Sequence, residues 1–282
     1  MSAFAQGEFS KHEHSDFTIF LESSLKNDVL NESEIQEFYK QSWAYWHANK
    51  LDYNQHPEKF SRALSLFYKN KEKFKRNGFR DVNRYKDKIS NFEGFDKRNS
   101  LADNPILFIG SSSIAGWETA VSFPKLPVIN RGLGGINLSE IIHYYDVLIK
   151  KHTPSVLVIY CDIDVEMGKS PSVVMNDFSA LVSKIKKDFP ETKILLLSMK
   201  PTLIDDFLGK DIGKNKKITN HELLTFSQHN DNVYYVDLAT PMLDSEGDLR
   251  SDIFIADGMH LNVTGYKLWD PIIRNAIINI VK

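Results

Sequence analysis

Five short apolar runs, separated by segments with helical periodicity, constrain the fold of this chain more than any other feature. The helical segments lie near 136–150, 172–188, 212–229 and 262–280. Strands that alternate with helices predict a mostly parallel sheet with helices on both faces. In such sheets, ligands bind at the carboxyl ends of the strands. The five predicted strands are Ile106–Ile109, Val128–Ile129, Val156–Tyr160, Ile194–Leu197 and Val233–Val236.

The N-terminal part of the chain has a different character. From Phe17 to about Gly78 the pattern is helical, with aromatic residues such as Phe38 and Trp46 on one stripe, and Pro57 opens a further helix. The stripe is typical of packing rather than of a cofactor site, and no function can be read from it. We expect an N-terminal helical extension over 1–83 and an α/β domain over 84–282.

The first predicted strand leads directly into Gly110 and three serines, Ser111 to Ser113. The glycine permits a sharp turn, and the serines stand where a strand meets a helix N-terminus. Unpaired backbone N–H groups at such an end favour negative charge, so a serine there can attack a carbonyl while they hold the oxyanion. The alternative is that the serines only cap the helix, and we expect capping for Ser111 and Ser113.

The second predicted strand leads into the glycine-rich segment Asn130–Gly135. A dinucleotide-binding loop is excluded because Asn137 occupies the position of the final glycine in G-x-G-x-x-G. An ordinary tight turn and a loop that approaches a ligand closely both remain open.

The third predicted strand ends in the acidic segment Cys161–Glu166, where strand alternation places Asp162 and Asp164 on one side. One reading is a pair of solvated turn carboxylates. Another is a D-x-D motif that resembles the haloacid dehalogenase phosphatases, with Asp162 as nucleophile and magnesium nearby. That reading leaves the serine and glycine segments unexplained, and activity on p-nitrophenyl phosphate that vanishes with EDTA would favour it.

Near the C-terminus, Asp257 stands three residues before His260, ahead of the last predicted helix. A carboxylate at this spacing can orient one ring nitrogen of the histidine while the other faces a nucleophile. A structural hydrogen bond is the commoner outcome for an isolated Asp-x-x-His. The combination with a strand-end serine favours a triad.

Three segments in this order resemble the SGNH, or GDSL, hydrolase family, especially its platelet-activating-factor-acetylhydrolase-like esterases: Ile109–Ile114, Asn130–Gly135 and Asp257–His260. The similarity runs from about Arg84 to the C-terminus. It implies a flavodoxin-like three-layer α/β/α sandwich with a mostly parallel five-stranded sheet, preceded by the helical extension.

The resemblance also assigns roles. It places Ser112 at the nucleophile position, with Ser111 replacing the usual aspartate, and Asp257 orienting His260. The N–H groups of Ser112 and Gly135 would form the oxyanion hole. A serine esterase or acylesterase of this kind, with deacetylation among its candidate reactions, needs no metal and no cofactor.

One family segment departs from the pattern. The usual Gly-x-Asn-Asp is replaced by Cys161–Asp164, so Ile163 stands where an asparagine side chain normally completes the oxyanion hole. The loss of one such donor typically lowers turnover about 10²–10³-fold. We therefore expect a slowed esterase or, as the alternative, a binding protein of the same fold without useful turnover. Asp162, Ile163 and Asp164 are the candidates for substrate contact.

Composition narrows the remaining possibilities. The net charge of −2 gives no reason to expect nucleic-acid binding, and the single cysteine excludes an intramolecular disulfide. No apolar run approaches the roughly 18 residues that span a membrane, so we expect a soluble cytoplasmic protein. Ala3-Phe4-Ala5 resembles the end of a signal peptide, which leaves export as the alternative. The expected partner is a small-molecule, acylated carbohydrate or lipid ester, and homo-oligomer formation is left open.

Overall fold

A computed structural model describes residues 14–26, 32–76, 82–209, 211–255 and 257–281 of the chain. The segment Ala3–Ala5 lies outside these residues. The chain forms two compact units, Met1–Asp81 and Val82–Lys282.

In the described residues of the first unit, three helices are joined by aromatic packing. The Phe17 ring stacks on Tyr45 with the ring centroids 3.9 Å apart, and Phe38 stacks on Phe67 at 5.5 Å. A 3-10 turn at Pro57–Phe60 precedes the third helix, as expected from the fixed φ of proline. The predicted helical extension is confirmed. Its helices are α1 (His14–Lys26), α2 (Glu32–Gln55) and α3 (Ser61–Arg76).

The second unit is built around one five-stranded parallel sheet. The strands are β1 (Ile106–Gly110), β2 (Val128–Gly132), β3 (Val156–Tyr160), β4 (Lys193–Leu197) and β5 (Val233–Val236). Their order in the sheet is β2-β1-β3-β4-β5, and Gly110 at the end of β1 pairs with Gly132 on one side and Tyr160 on the other. This is the flavodoxin-like order. The predicted fold is therefore confirmed.

Helices cover the sheet on both sides. The segment predicted as one helix over 136–150 is interrupted at Tyr144, whose ψ of 16° leaves the helical region, and it forms two short helices and a 3-10 turn. The helices of this unit are α4 (Lys86–Arg98), α5 (Ser112–Ala115), α6 (Thr119–Ser122), α7 (Leu138–His143), α8 (Tyr145–Leu148), α9 (Ile163–Glu166), α10 (Pro171–Asp188), α11 (Asp205–Leu208), α12 (Ile212–Gln228) and α13 (Val263–Val281).

The core of this unit lies on the strands. Every residue of β1 and of β3 is buried, which explains their continuous apolar sequences. On one face, Trp269 of α13 packs against Tyr160, with ring centroids 5.8 Å apart. The carboxyl ends of the parallel strands consequently meet at one edge, where the polar segments follow. None of the helices in the described ranges is long and apolar enough to cross a membrane.

Candidate functional site

The turn after β1 requires a glycine. Gly110 has φ of +141°, and a Cβ atom at this position would lie 1.8 Å from the carbonyl oxygen of Tyr160. The N–H of Ser111 donates to that same carbonyl at 3.1 Å. The chain therefore turns sharply where β1 leaves the sheet, and Ser112 begins α5.

Ser112 is the half-buried residue of this turn, between buried Ser111 and buried Ser113. Within the residues that the structure describes, neither its hydroxyl nor its backbone N–H makes a hydrogen bond. Since α5 is a single turn, its dipole is small, and the N–H of Ser112 itself is the useful donor. The arrangement leaves a hydroxyl and an N–H available side by side.

The expected capping role of the other two serines is wrong. Ser111 stands at the N-cap of α5, but its hydroxyl donates to Asp162 Oδ1 at 2.9 Å and caps no helix N–H. The hydroxyl of Ser113 is buried and has no hydrogen-bond partner among the described residues. An N-cap serine oxygen accepts from a helix N–H, whereas the Ser111 hydroxyl here is oriented as a donor toward the buried, charged carboxylate of Asp162.

The glycine-rich loop after β2 lies beside Ser112. A Cβ atom at Gly134 would lie 4.0 Å from the Cβ of Ser112, and Gly135 has φ of +75°. The N–H of Leu133 donates to the carbonyl of Gly110 at 2.9 Å, which ties this loop to the turn after β1. The loop therefore lies close to Ser112, as expected if it approaches a ligand bound there.

The Asp257–His260 segment forms a compact hydrogen-bonded turn. His260 Nδ1 lies 2.6 Å from Asp257 Oδ2, and Asp257 Oδ1 accepts from the N–H groups of Met259 and His260. Burial raises the pKa of Asp257, but the hydrogen bond and charge of His260 lower it by more, so the pKa lies below its usual value. With Asp257 ionised, Nδ1 is the donor, and Nε2 is left as the acceptor.

No hydrogen bond joins Ser112 to His260 in the described part of the chain. A nearby contact does link their two segments: Tyr266, on the helix that begins just after His260, donates from its hydroxyl to the carbonyl of Ser113 at 2.9 Å. Catalytic hydrogen bonds are often formed only once substrate is bound. The predicted triad therefore stays a prediction, with its two halves placed on linked segments.

Asp162 does not face an open pocket. Its side chain is 3% exposed; Oδ2 accepts from the Tyr160 hydroxyl at 2.5 Å and pairs with Lys200 Nζ at 3.2 Å. Burial raises the pKa of Asp162, but the charges of Lys200 and Lys216 and the hydrogen bonds from Tyr160 and Ser111 lower it more, and the net pKa is well below the usual range. The carboxylate of Asp162 is therefore not available for substrate contact, contrary to the prediction.

Asp164 is also enclosed. It is 0% exposed, accepts from the N–H of Leu138 at 2.9 Å, and pairs with Lys169 Nζ at 2.6 Å. These contacts exclude it as a substrate contact as well, whereas Ile163 is half-buried at the start of α9.

The interpretation as a phosphatase is wrong for the same reason. Its nucleophile and its metal ligand would be carboxylates already held by lysines, with no solvent access. In the described ranges, no group of three or more carboxylate, histidine or cysteine side chains is arranged to hold a metal ion.

Sequence reasoning missed the ion pair behind the serines. Lys200 is 1% exposed and follows β4, next to the end of β3. A lysine among buried strand-end residues was the available signal, since such a charge requires a partner. The acidic segment after β3 supplies that partner.

Comparison with known proteins identifies the fold. No protein-family model and no curated protein matches the chain. Among solved structures, a Streptococcus pneumonia protein described as a platelet activating factor matches with a TM-score of 0.62 and 19% identity, over 69% of this chain and 94% of that one.

Two Bacteroides structures match over their whole length. An acylhydrolase from Bacteroides fragilis gives a TM-score of 0.59 and 20% identity over 72% of this chain, and a GDSL-like lipase from Bacteroides thetaiotaomicron gives 0.61 and 17% over 71%. The predicted resemblance is confirmed at the level of the fold. The second unit of this chain has the fold of the GDSL-like lipases and acylhydrolases.

Proposed function

We propose that this chain is a serine ester hydrolase of the SGNH type, with Ser112 as nucleophile, His260 as base and Asp257 as its orienting group. One observation carries the proposal. The turn after β1 carries a serine whose hydroxyl and N–H have no partner among the described residues, and the segment that Tyr266 links to this turn carries a histidine 2.6 Å from a carboxylate. The lipase and acylhydrolase with this fold support the assignment.

The reaction follows from the chemistry of these groups. Ser112 Oγ attacks the ester carbonyl carbon while His260 Nε2 accepts the hydroxyl proton. The negative oxygen of the tetrahedral intermediate is held by the backbone N–H groups of Ser112 and Gly135. The intermediate collapses, the alcohol leaves with the proton from His260, and an acyl-serine remains. Water, deprotonated by His260, then releases the acid and restores the serine.

Asp257 holds His260 in the orientation and tautomer that the reaction needs. Its ionised carboxylate accepts from His260 Nδ1, so the imidazole presents the unprotonated Nε2. The same carboxylate stabilises the imidazolium that forms after proton transfer. The two main-chain N–H donors to its other oxygen hold the carboxylate in place.

The substrate class is a small-molecule, acylated carbohydrate or lipid ester. The experiment that tests the function is hydrolysis of p-nitrophenyl acetate by the full chain and by His260→Ala. We expect the variant to lose at least about 10³-fold in kcat/KM. His229→Ala is the matched control, since His229 is an exposed histidine just after α12 whose ring Nδ1 lies 2.8 Å from the Thr225 carbonyl oxygen. Equal activity in His260→Ala and in the parent chain would contradict the proposal.

Ile163 supports one alternative, a binding protein of the same fold. An isoleucine cannot donate the hydrogen bond that an asparagine makes at this position of the family pattern. Failure of the parent chain to hydrolyse any p-nitrophenyl ester from two to eight carbons would favour this alternative over the esterase.

A further inference from the structure

Two side chains from the start of the second unit reach the glycine loop beside Ser112. Arg84 and Tyr85 belong to the 3-10 turn Val82–Tyr85, which precedes α4. The Tyr85 hydroxyl donates to the carbonyl of Gly134 at 2.8 Å, and Arg84 Nη2 donates to the carbonyl of Gly135 at 2.7 Å. Two successive carbonyls of the loop are thus held by one pair of neighbouring residues.

The pair is itself fixed in place. Arg84 binds both carboxylate oxygens of Glu140, with Nε to Oε1 at 2.7 Å and Nη2 to Oε2 at 3.0 Å. The Glu140 carboxylate, 2% exposed, also accepts from the N–H of Asn137 in the capping box of α7. The Arg84 guanidinium lies 4.4 Å from the centroid of the Tyr85 ring. The guanidinium fork has little freedom, which suits it to holding a backbone carbonyl.

The contacts set the direction of a backbone N–H. In a trans peptide the C=O and the N–H point in opposite directions within one plane. The Gly134 carbonyl and the Gly135 N–H belong to the same peptide plane, so the hydroxyl of Tyr85 fixes both. Such control matters here because glycine has the largest range of backbone conformations, and Gly135 adopts φ of +75°.

We propose that Tyr85 and Arg84 are positioning residues: Tyr85 holds the Gly134–Gly135 peptide and Arg84 holds the Gly135–Ile136 peptide that follows, so that the Gly135 N–H keeps the orientation needed to bind the oxyanion. The inference rests on the proposed esterase function and extends it, since neither residue belongs to the triad or supplies the oxyanion donor. With Ile163 in place of the family asparagine, the fixed orientation of the remaining backbone donors carries more of the stabilisation.

Tyr85→Phe removes only the hydroxyl and tests the proposal directly. We expect kcat on p-nitrophenyl acetate to fall roughly 10- to 100-fold with KM within about twofold, because the lost alignment affects the transition state more than the bound substrate. Tyr145→Phe is the matched control: Tyr145 is buried, and its hydroxyl contacts a backbone carbonyl, that of Lys184 at 3.4 Å, on α10. This control should keep the parent kcat.

Two further measurements separate positioning from general stability. The affinity for a boronic acid, which mimics the tetrahedral intermediate, should fall by the same factor as kcat in Tyr85→Phe, with an unchanged midpoint of thermal unfolding. Arg84→Lys, which keeps one charged donor, should lose less than Arg84→Gln. A folded Tyr85→Phe protein with the parent kcat and the parent boronate affinity would overturn the proposal.

Amide hydrogen exchange distinguishes failure of this inference from failure of the esterase function. In Tyr85→Phe, the Ile136 amide, which donates to the Leu133 carbonyl within this loop at 3.1 Å, should exchange faster than in the parent chain, while amides of β4 stay unchanged. A parent chain without esterase activity contradicts the proposed function, and the exchange rate alone then decides whether Tyr85 holds the loop. An unchanged rate at Ile136 would overturn that claim.

Discussion

The ends of β1 and β3 are neighbours in the sheet, but the polar residues that follow them differ in how completely they are hydrogen-bonded. After β1, the hydroxyl and N–H of half-buried Ser112 have no partner among the described residues. After β3, Asp162 is buried and accepts from Ser111, Tyr160 and Lys200. Polar residues at a strand end therefore do not all mark chemistry. A polar group without a hydrogen-bond partner is available for reaction, whereas a buried group with all its hydrogen bonds formed stabilises the fold.

The largest expected effect is at Ser112. Ser112→Ala should lower kcat/KM for p-nitrophenyl acetate at least about 10³-fold, because the acyl-enzyme can no longer form. Ser113→Ala, one residue further along, removes a buried hydroxyl that has no partner among the described residues, and it should leave kcat/KM nearly unchanged. Similar losses in both variants would remove the distinction between the serines.

Asp257→Asn should have the second largest effect. The amide cannot hold the imidazole in the tautomer that presents an unprotonated Nε2, so kcat should fall roughly 10²–10⁴-fold. The measurement is steady-state hydrolysis together with circular dichroism to verify folding. A fall smaller than about threefold would show that His260 needs no orienting carboxylate.

The closed end of β3 should respond through stability rather than turnover. Lys200→Met leaves Asp162 as a buried charge without its main counterion, and the free energy of unfolding should fall by about 3–5 kcal/mol in urea titrations. Combining it with Asp162→Asn should restore part of that loss. A change below about 1 kcal/mol in Lys200→Met would mean that the pair does not hold the strand ends together.

The pH dependence of the free energy of unfolding tests whether the ionised Asp162 carboxylate stabilises the fold. The pKa of Asp162 is lower in the folded chain than the usual value near 4, so its contribution is present above about pH 4 and is lost as the pH falls further. In Asp162→Asn, the free energy of unfolding should decline less between pH 5 and pH 3 than in the parent chain. An equal decline would assign the acid sensitivity to other carboxylates.

The smallest predicted change is a gain. Ile163→Asn, which offers an amide donor at the start of α9, should raise kcat by about 10-fold, a partial recovery of the 10²–10³-fold that one donor typically supplies. Ile163→Leu, which adds no donor, should leave kcat near the parent value. An unchanged kcat in Ile163→Asn would count against the explanation of a missing donor.

The sheet was predictable because burial determines it. Strands such as Val156–Tyr160 are apolar throughout, as expected for a parallel sheet covered on both faces, and the sequence identified all five. The interrupted segment around Tyr144 was not predictable, because its periodicity is helical on both sides of the break.

The site was predictable only in part. The glycine turn after β1 and the close spacing of Asp257 and His260 are local patterns, and the structure shows the sharp turn and the Asp257–His260 contact that they predict. The capping predicted for Ser111 and Ser113 is not found. The partners of Asp162 and of the glycine loop come from distant parts of the sequence. Lys200 lies 38 residues from Asp162, and Tyr85 lies 49 residues from Gly134. The local sequence of the acidic segment after β3 and of the glycine loop does not predict which distant residues pair with them.

The most direct test of the account is covalent labelling of the full chain with a fluorophosphonate, followed by mass spectrometry of the digested protein. This reagent reacts with a serine activated by a neighbouring base. We expect a single modified serine, Ser112, and a much slower reaction in His260→Ala. Labelling at another serine, or no labelling in a chain that hydrolyses esters, would contradict the assignment of Ser112 as the nucleophile.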